Sequence, residues 1–203
     1  MLMPLRTRFT ADDAQAAYEA WGANCGPGAL AGICGLTLEE VRPLIPDFEH
    51  KGYTNPTMMF AALRKIEARR GFFWEHLRRV PAAWPSYGLC RIQWEGPWTN
   101  PGVPARVAYG QTHWVGSCAR SPDDIGVFDI NCIANGAGWV TLKDWSEIVV
   151  PHLLRDNPKA SGKWHITHAI EITLPKAADL SPSTDAADRL TPAASSSSSA
   201  RSE

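Results

Sequence analysis

Cys25 stands in the stretch AWGANCGPGALAGICG, residues 20–35, where a turn of small residues enters an apolar helical pattern. Asn24, Gly26 and Pro27 punctuate the chain around it, and Pro27 suits the first turn of a helix. A thiol at such a mouth meets unpaired backbone N–H groups and the positive end of the helix dipole, and both favour the thiolate. The chemistry open to that sulfur is nucleophilic attack on a carbonyl carbon. It requires a base in reach and a third group that orients the base.

Six histidines are available as the base. His50 and His76 fall in polar helix or loop contexts, and His152 falls near a helix end. His165 and His168 are three apart on an expected strand, which places them on opposite faces and argues against a shared metal. His113 differs, because AYGQTHWVGS reads as a strand and the next one, GVFDIN, carries Asp129 and Asn131. Neighbouring strands lie about 4.8 Å apart, so a side chain on the second can reach an imidazole on the first. Strict alternation puts residues 129 and 131 on one face, and either could be the orienting group.

These residues need elements to hold them. Thr10 with Asp13 resembles a capping box for a helix to about Trp21, and Pro27 to Gly35 brackets a second helix. Thr37 and Glu40 start a short third one that must end before Pro43. Asn55-Pro56 opens the clearest helix, PTMMFAALRKIEARR, with Met59, Ala62, Leu63 and Ile66 on one face and Gly71 past its end. Beyond Gly71 the pattern shortens to β-type runs: FFWEHLRRV, GLCRIQWE, RVAYGQTHWVGSC, GVFDINC and KWHITHAIEITL. A helix interrupts them at TLKDWSEIVVPHLL, capped by Thr141. The expected fold is α+β, with N-terminal helices packed on a C-terminal antiparallel β-sheet.

With NCGPGALA around the cysteine, THWV around the histidine and VFDIN sixteen residues later, the chain resembles papain-like cysteine peptidases. It looks most like their bacterial branch of bacteriocin-processing double-glycine peptidases. The likeness runs over residues 11–174 in order of elements. It implies a papain-like fold, Cys25 as nucleophile, His113 as general base and Asp129 as the orienting residue. That family places a Gln six residues before the nucleophile as an oxyanion donor, and here the position holds Glu19, whose carboxylate opposes an oxyanion. Gln15 one turn earlier, Asn24, or the Cys25 backbone N–H are the substitutes. The expected activity is a cysteine hydrolase, a peptidase or isopeptidase. Two other outcomes are an acyltransferase or transglutaminase on the same triad, and a degenerate binding module serving as inhibitor or adaptor.

Composition bounds the rest. With 203 residues, 44% of them hydrophobic, the chain can build one good core, and a net charge of −1 shows no footprint of a nucleic-acid or membrane binder. The basic cluster Lys65, Arg69, Arg70, Arg78, Arg79 reads as a solvated helix end. One domain is expected at 1–175, followed by a disordered Ser/Ala/Pro-rich tail at 176–203. An odd cysteine count, without paired spacing or an apolar leader, indicates a cytoplasmic, reducing setting, and no cofactor or metal is expected. Cys34, Cys90, Cys118 and Cys132 read as buried thiols. The partner is a peptide or protein substrate. Trp98, in the Pro/Gly-rich loop EGPWTNPGVPAR, and Trp114 are candidate groove residues, with core filling as the alternative.

Overall fold

The computed structural model describes residues 5–22, 24–78 and 82–174. The tail expected at 176–203, and Arg79 of the basic cluster, lie outside them. Helix α1, Ala11–Trp21, starts on the capping box of Thr10 and Asp13 and ends at Gly22, whose φ of 70° is left-handed. Helix α2, Cys25–Cys34, has Cys25 as its first residue, Asn24 as N-cap and Gly35 as left-handed C-cap. A capping box of Thr37 and Glu40 opens α3, Leu38–Val41. Helix α3 ends before Pro43 as expected, and the chain continues beyond it. It tightens into a 3₁₀ turn, Arg42–Leu44, because proline is tolerated in a first turn, where its missing N–H is not needed. A short α4, Phe48–Lys51, was not foreseen, and α5, Pro56–Arg70, runs from an Asn55 cap to Gly71 as its motif indicates.

The strands are β1 Phe73–Leu77, β2 Gly88–Trp94, β3 Thr112–Ser121, β4 Asp124–Phe128, β5 Trp139–Thr141 and β6 Trp164–Thr173. They form one sheet in the order β1-β6-β2-β3-β4-β5, antiparallel throughout. The architecture is therefore mixed helix and antiparallel sheet. The strands depart from the sequence pattern at several points: β5 lies in none of the expected runs, and β1 ends at Leu77 within FFWEHLRRV. RVAYG is not strand but a single helical turn, α6 Ala105–Tyr109. It is held by Gln93, whose buried amide donates to Ala108 O at 3.0 Å and Gln111 O at 2.8 Å. GVFDINC ends as strand at Phe128, and residues 130–135 coil into a 3₁₀ helix capped by Asp129.

The sheet is covered on both faces. One face, with Leu89, Trp114, Cys118, Phe128 and Ile170, packs against α2 and the other N-terminal helices. The other, with Cys90, Ile92, Val115 and Val127, packs against Trp145 and Val150. Those two belong to a continuous helical run of α7 Leu142–Asp144, a π-helical turn Trp145–Val149, and α8 Val150–Leu154. The wide turn has a local cause: Val150 N–H reaches Trp145 O five residues back, and the next residue, Pro151, has no N–H to continue an α ladder.

Glycines bring α2 close to the sheet. A Cβ on Gly32 would lie 2.5 Å from the buried Phe128 ring, and one on Gly28 would overlap Ile130. From the sheet side, Gly116 meets Ile33 in the same way. Tyr87 adds a polar tie, donating its buried hydroxyl to Ile33 O at 2.8 Å. No described helix is long and apolar enough to cross a membrane.

Candidate active site

Helix α2 points its first residue at the edge of β3. Strand β4 ends at Phe128, opposite Gly116, so β3 has no ladder partner on that side at residues 113–115. The Trp114 backbone N–H is free to donate to Cys25, and the His113 side chain hydrogen-bonds the same sulfur. The end of β4 at Phe128 thus leaves this stretch of the β3 edge open to Cys25. The first intrahelical bond of α2 runs from Gly28 N to Asn24 O at 2.8 Å, which leaves the Cys25 and Gly26 amides without an intrahelical acceptor.

His113 is 7% exposed, and its Nε2 lies 2.9 Å from Asp129 Oδ2, so Nδ1 is the nitrogen that serves Cys25. Asp129 is fully buried at the N-cap just past β4, with both oxygens filled. Trp145 Nε1 donates to Oδ2 at 2.9 Å, while Asn131 donates to Oδ1 through its backbone N–H at 3.0 Å and its Nδ2 at 2.8 Å. Trp94 stacks on the His113 ring with centroids 5.8 Å apart and planes inclined by 22°, and Trp145 stacks on Trp94 at 6.0 Å. An imidazolium under an indole face gains a cation–π contact, largest when water is excluded.

The electrostatics follow from these contacts. Burial opposes ionisation of Asp129, but the His113 charge and the donated hydrogen bonds outweigh it and hold the carboxyl at about 2. Burial likewise disfavours a charged His113. The Asp129 charge and hydrogen bond, followed by Cys25, reverse that and lift it to about 10. For Cys25, burial raises the thiol, and the His113 hydrogen bond and charge together with the Trp114 N–H bring it below its ordinary value. The three groups thus form a connected chain in which ionisation of the thiol and retention of the imidazole proton are both favoured. Burial pushes the Cys90, Cys118 and Cys132 thiols up instead, Cys132 to about 11.

Several expected site residues lie elsewhere. Gln15 and Glu19 are exposed on α1 and hydrogen-bond each other at 2.8 Å, so neither acts as an oxyanion donor in this arrangement. Asn24 turns its Nδ2 to Ala14 O, tying α2 to α1. Asn131 faces Asp129 rather than rivalling it, because the 3₁₀ turn breaks the strand alternation. Trp98 and Trp114 do not line a groove: both are buried, donating Nε1 to Trp94 O and Thr54 O respectively. His165 and His168 share a face after all, because a bulge in β6 inserts Thr167 between register partners of Gln93 and Arg91. They keep separate partners, His165 beside Glu95 and His168 stacked on His76. Among the described residues no three His, Cys, Asp or Glu side chains gather as a metal-holding group.

Trp145 and Trp94 belong to the site without being among the residues that the sequence pattern singles out. The available signal was that a buried indole N–H needs an acceptor, and the helix of Trp145 follows directly on the strand pair that carries Asp129. The chain matches no family model and no curated protein.

Proposed function

We propose that the chain is a papain-like cysteine hydrolase that cleaves a peptide, isopeptide or related amide bond. The observation that carries this reading is the hydrogen-bonded series Cys25, His113, Asp129, with the thiol held below and the imidazole above their ordinary pKa values. The Cys25 thiolate attacks the carbonyl carbon, and the developing oxyanion is met by the Cys25 and Gly26 amides at the start of α2. Protonated His113 gives its Nδ1 proton to the leaving nitrogen as the C–N bond breaks, which leaves a thioester on Cys25. Neutral His113 then takes a proton from water, the hydroxide attacks the thioester, and the thiolate departs from a carboxylic acid. Cys25 is a free thiol, and a reducing cytoplasm is the setting that would keep it so.

A second reading has its own support. Neither Gln15 nor Glu19 supplies the side-chain oxyanion donor that the papain-like resemblance implies, which suits a degenerate module that binds a peptide without cleaving it. A third outcome passes the acyl group to an amine instead of water. One experiment separates them: reaction with p-nitrophenyl acetate, read as a p-nitrophenolate burst and a mass shift on Cys25. A hydrolase gives one acetyl per chain followed by steady turnover. A transferase accumulates the thioester until an amine such as glycine ethyl ester is added. No burst above that of Cys25→Ser would overturn both catalytic readings and leave the binding module.

A further inference from the structure

Strand β2 carries a buried cation on its helix-facing side. Arg91 is 4% exposed, and its register partner on β3 is Trp114, the residue whose backbone N–H holds the Cys25 sulfur. The Tyr109 ring covers the guanidinium, 5.3 Å from its carbon to the centroid. Nη2 donates to Thr112 Oγ1 at 3.2 Å, and the Thr112 hydroxyl donates in turn to Tyr109 O at 3.1 Å. Nε is enclosed and has no acceptor. A guanidinium offers five donors, so most of this fork is unused, and among the described residues no carboxylate pairs with it.

The titratable groups around Arg91 do not neutralise it. Its partner on β6 is His168, stacked on His76 of β1 at 5.3 Å. Burial, then the Arg91 charge, hold His168 at about 4, so it is uncharged at neutral pH. The remaining groups that interact with Arg91 are the Tyr109 phenol and the Cys25 sulfur, and neither is a carboxylate. Burying a cation without a counter-ion is costly, and the guanidinium fork matches a carboxylate better than any other side chain does.

Resting on the reading of Cys25 as nucleophile, we propose that Arg91 is the recognition group for a carboxylate that the substrate carries close to the bond Cys25 attacks. A free C-terminus and an Asp or Glu side chain present the same chemistry. Recognition happens within reach of the sulfur, so small electrophiles that alkylate Cys25 report on it without knowledge of the natural substrate.

The test compares three such probes on the full chain: bromoacetyl-glycinamide, which is neutral, bromoacetyl-glycine, with a terminal carboxylate, and bromoacetyl-aspartic acid α-amide, with a side-chain carboxylate. The expected result is that wild type alkylates at Cys25 about tenfold faster with one carboxylate probe than with the neutral one. Arg91→Gln brings the carboxylate-to-neutral rate ratio to about one, and Arg91→Lys keeps part of the preference. The faster carboxylate probe identifies the source. Equal probe ratios in wild type and Arg91→Gln, or an equal slowing of all three, would overturn the proposal. If Arg91→Gln does not fold, competition on wild type decides: acetate slows the neutral probe and equimolar acetamide does not, and no difference between them overturns the assignment. Failure of every probe at Cys25 relative to the other thiols is distinct from these results, because it rejects the nucleophile itself.

Discussion

His113 and Trp145 share one acceptor: His113 Nε2 and Trp145 Nε1 each lie 2.9 Å from Asp129 Oδ2. The imidazole orientation is thereby tied to a helix on the far face of the sheet, through the π-helical turn that places Trp145 inside. Trp145→Phe keeps an aromatic side chain, smaller than the indole, and removes the donor. It should cost about 1–3 kcal/mol of stability, measured by urea unfolding, because a buried carboxylate oxygen loses one of its two partners. The basic limb of Cys25 reactivity should move to lower pH as the hold on His113 loosens.

The buried pair makes stability depend on pH in a stated direction. Asp129 has its pKa lowered from 3.8 to about 2, so its contribution is present above 3.8 and is lost as pH falls towards 2. His113 has its pKa raised from 6.5 to about 10, so its contribution is full below 6.5 and is lost as pH rises through 10. The stability gap between wild type and Asp129→Asn should therefore be widest between about pH 4 and pH 6.5 and narrow on either side. Denaturant titrations of both proteins across that range measure it. A gap independent of pH would mean that Asp129 acts only by packing.

How much of this was legible depends on what fixed each residue. Cys25 was readable because small residues and a proline mark a helix mouth locally, and the helix bounds at Gly22, Gly35 and Gly71 followed from the same local signals. His113 needed only two neighbouring strands, which left Asp129 and Asn131 both open, and the papain-like resemblance singled out Asp129. The errors came where tertiary contacts override local pattern. Alternation beyond Phe128 was invisible as a 3₁₀ turn because Asp129 caps it from inside the core, and RVAYG became helix because the buried Gln93 amide holds its carbonyls. Arg91 carries no mark in the sequence, since nothing local says that β2 is central and buried along its whole length.

Glycines on α2 carry a stability prediction. Gly32→Ala forces a methyl into the Phe128 ring, at 2.5 Å before any shift, and the ring is itself fully buried. Overpacking of this kind costs about 1–3 kcal/mol, readable as a lowered Tm. Helix propensity alone favours alanine by about 1 kcal/mol, so a raised Tm would contradict the close helix–sheet contact.

Glu19 gives a contrasting prediction. The side chain is exposed on α1 and bonded to Gln15, so Glu19→Gln should change acylation of Cys25 by less than about twofold, in keeping with the small effect of surface substitutions. A gain of about a hundredfold, the scale on which an oxyanion donor acts, would show that α1 moves to meet the substrate.

The central claim is that Cys25 is a thiolate paired with His113, and the most direct measurement is the pH dependence of iodoacetamide labelling, resolved at Cys25 by mass spectrometry in wild type and His113→Ala. The account predicts that the Cys25 rate in wild type begins to fall at a lower pH than in His113→Ala, whose rate falls about tenfold per unit below the ordinary thiol range. A Cys25 profile in wild type that follows an ordinary thiol and matches His113→Ala would contradict it.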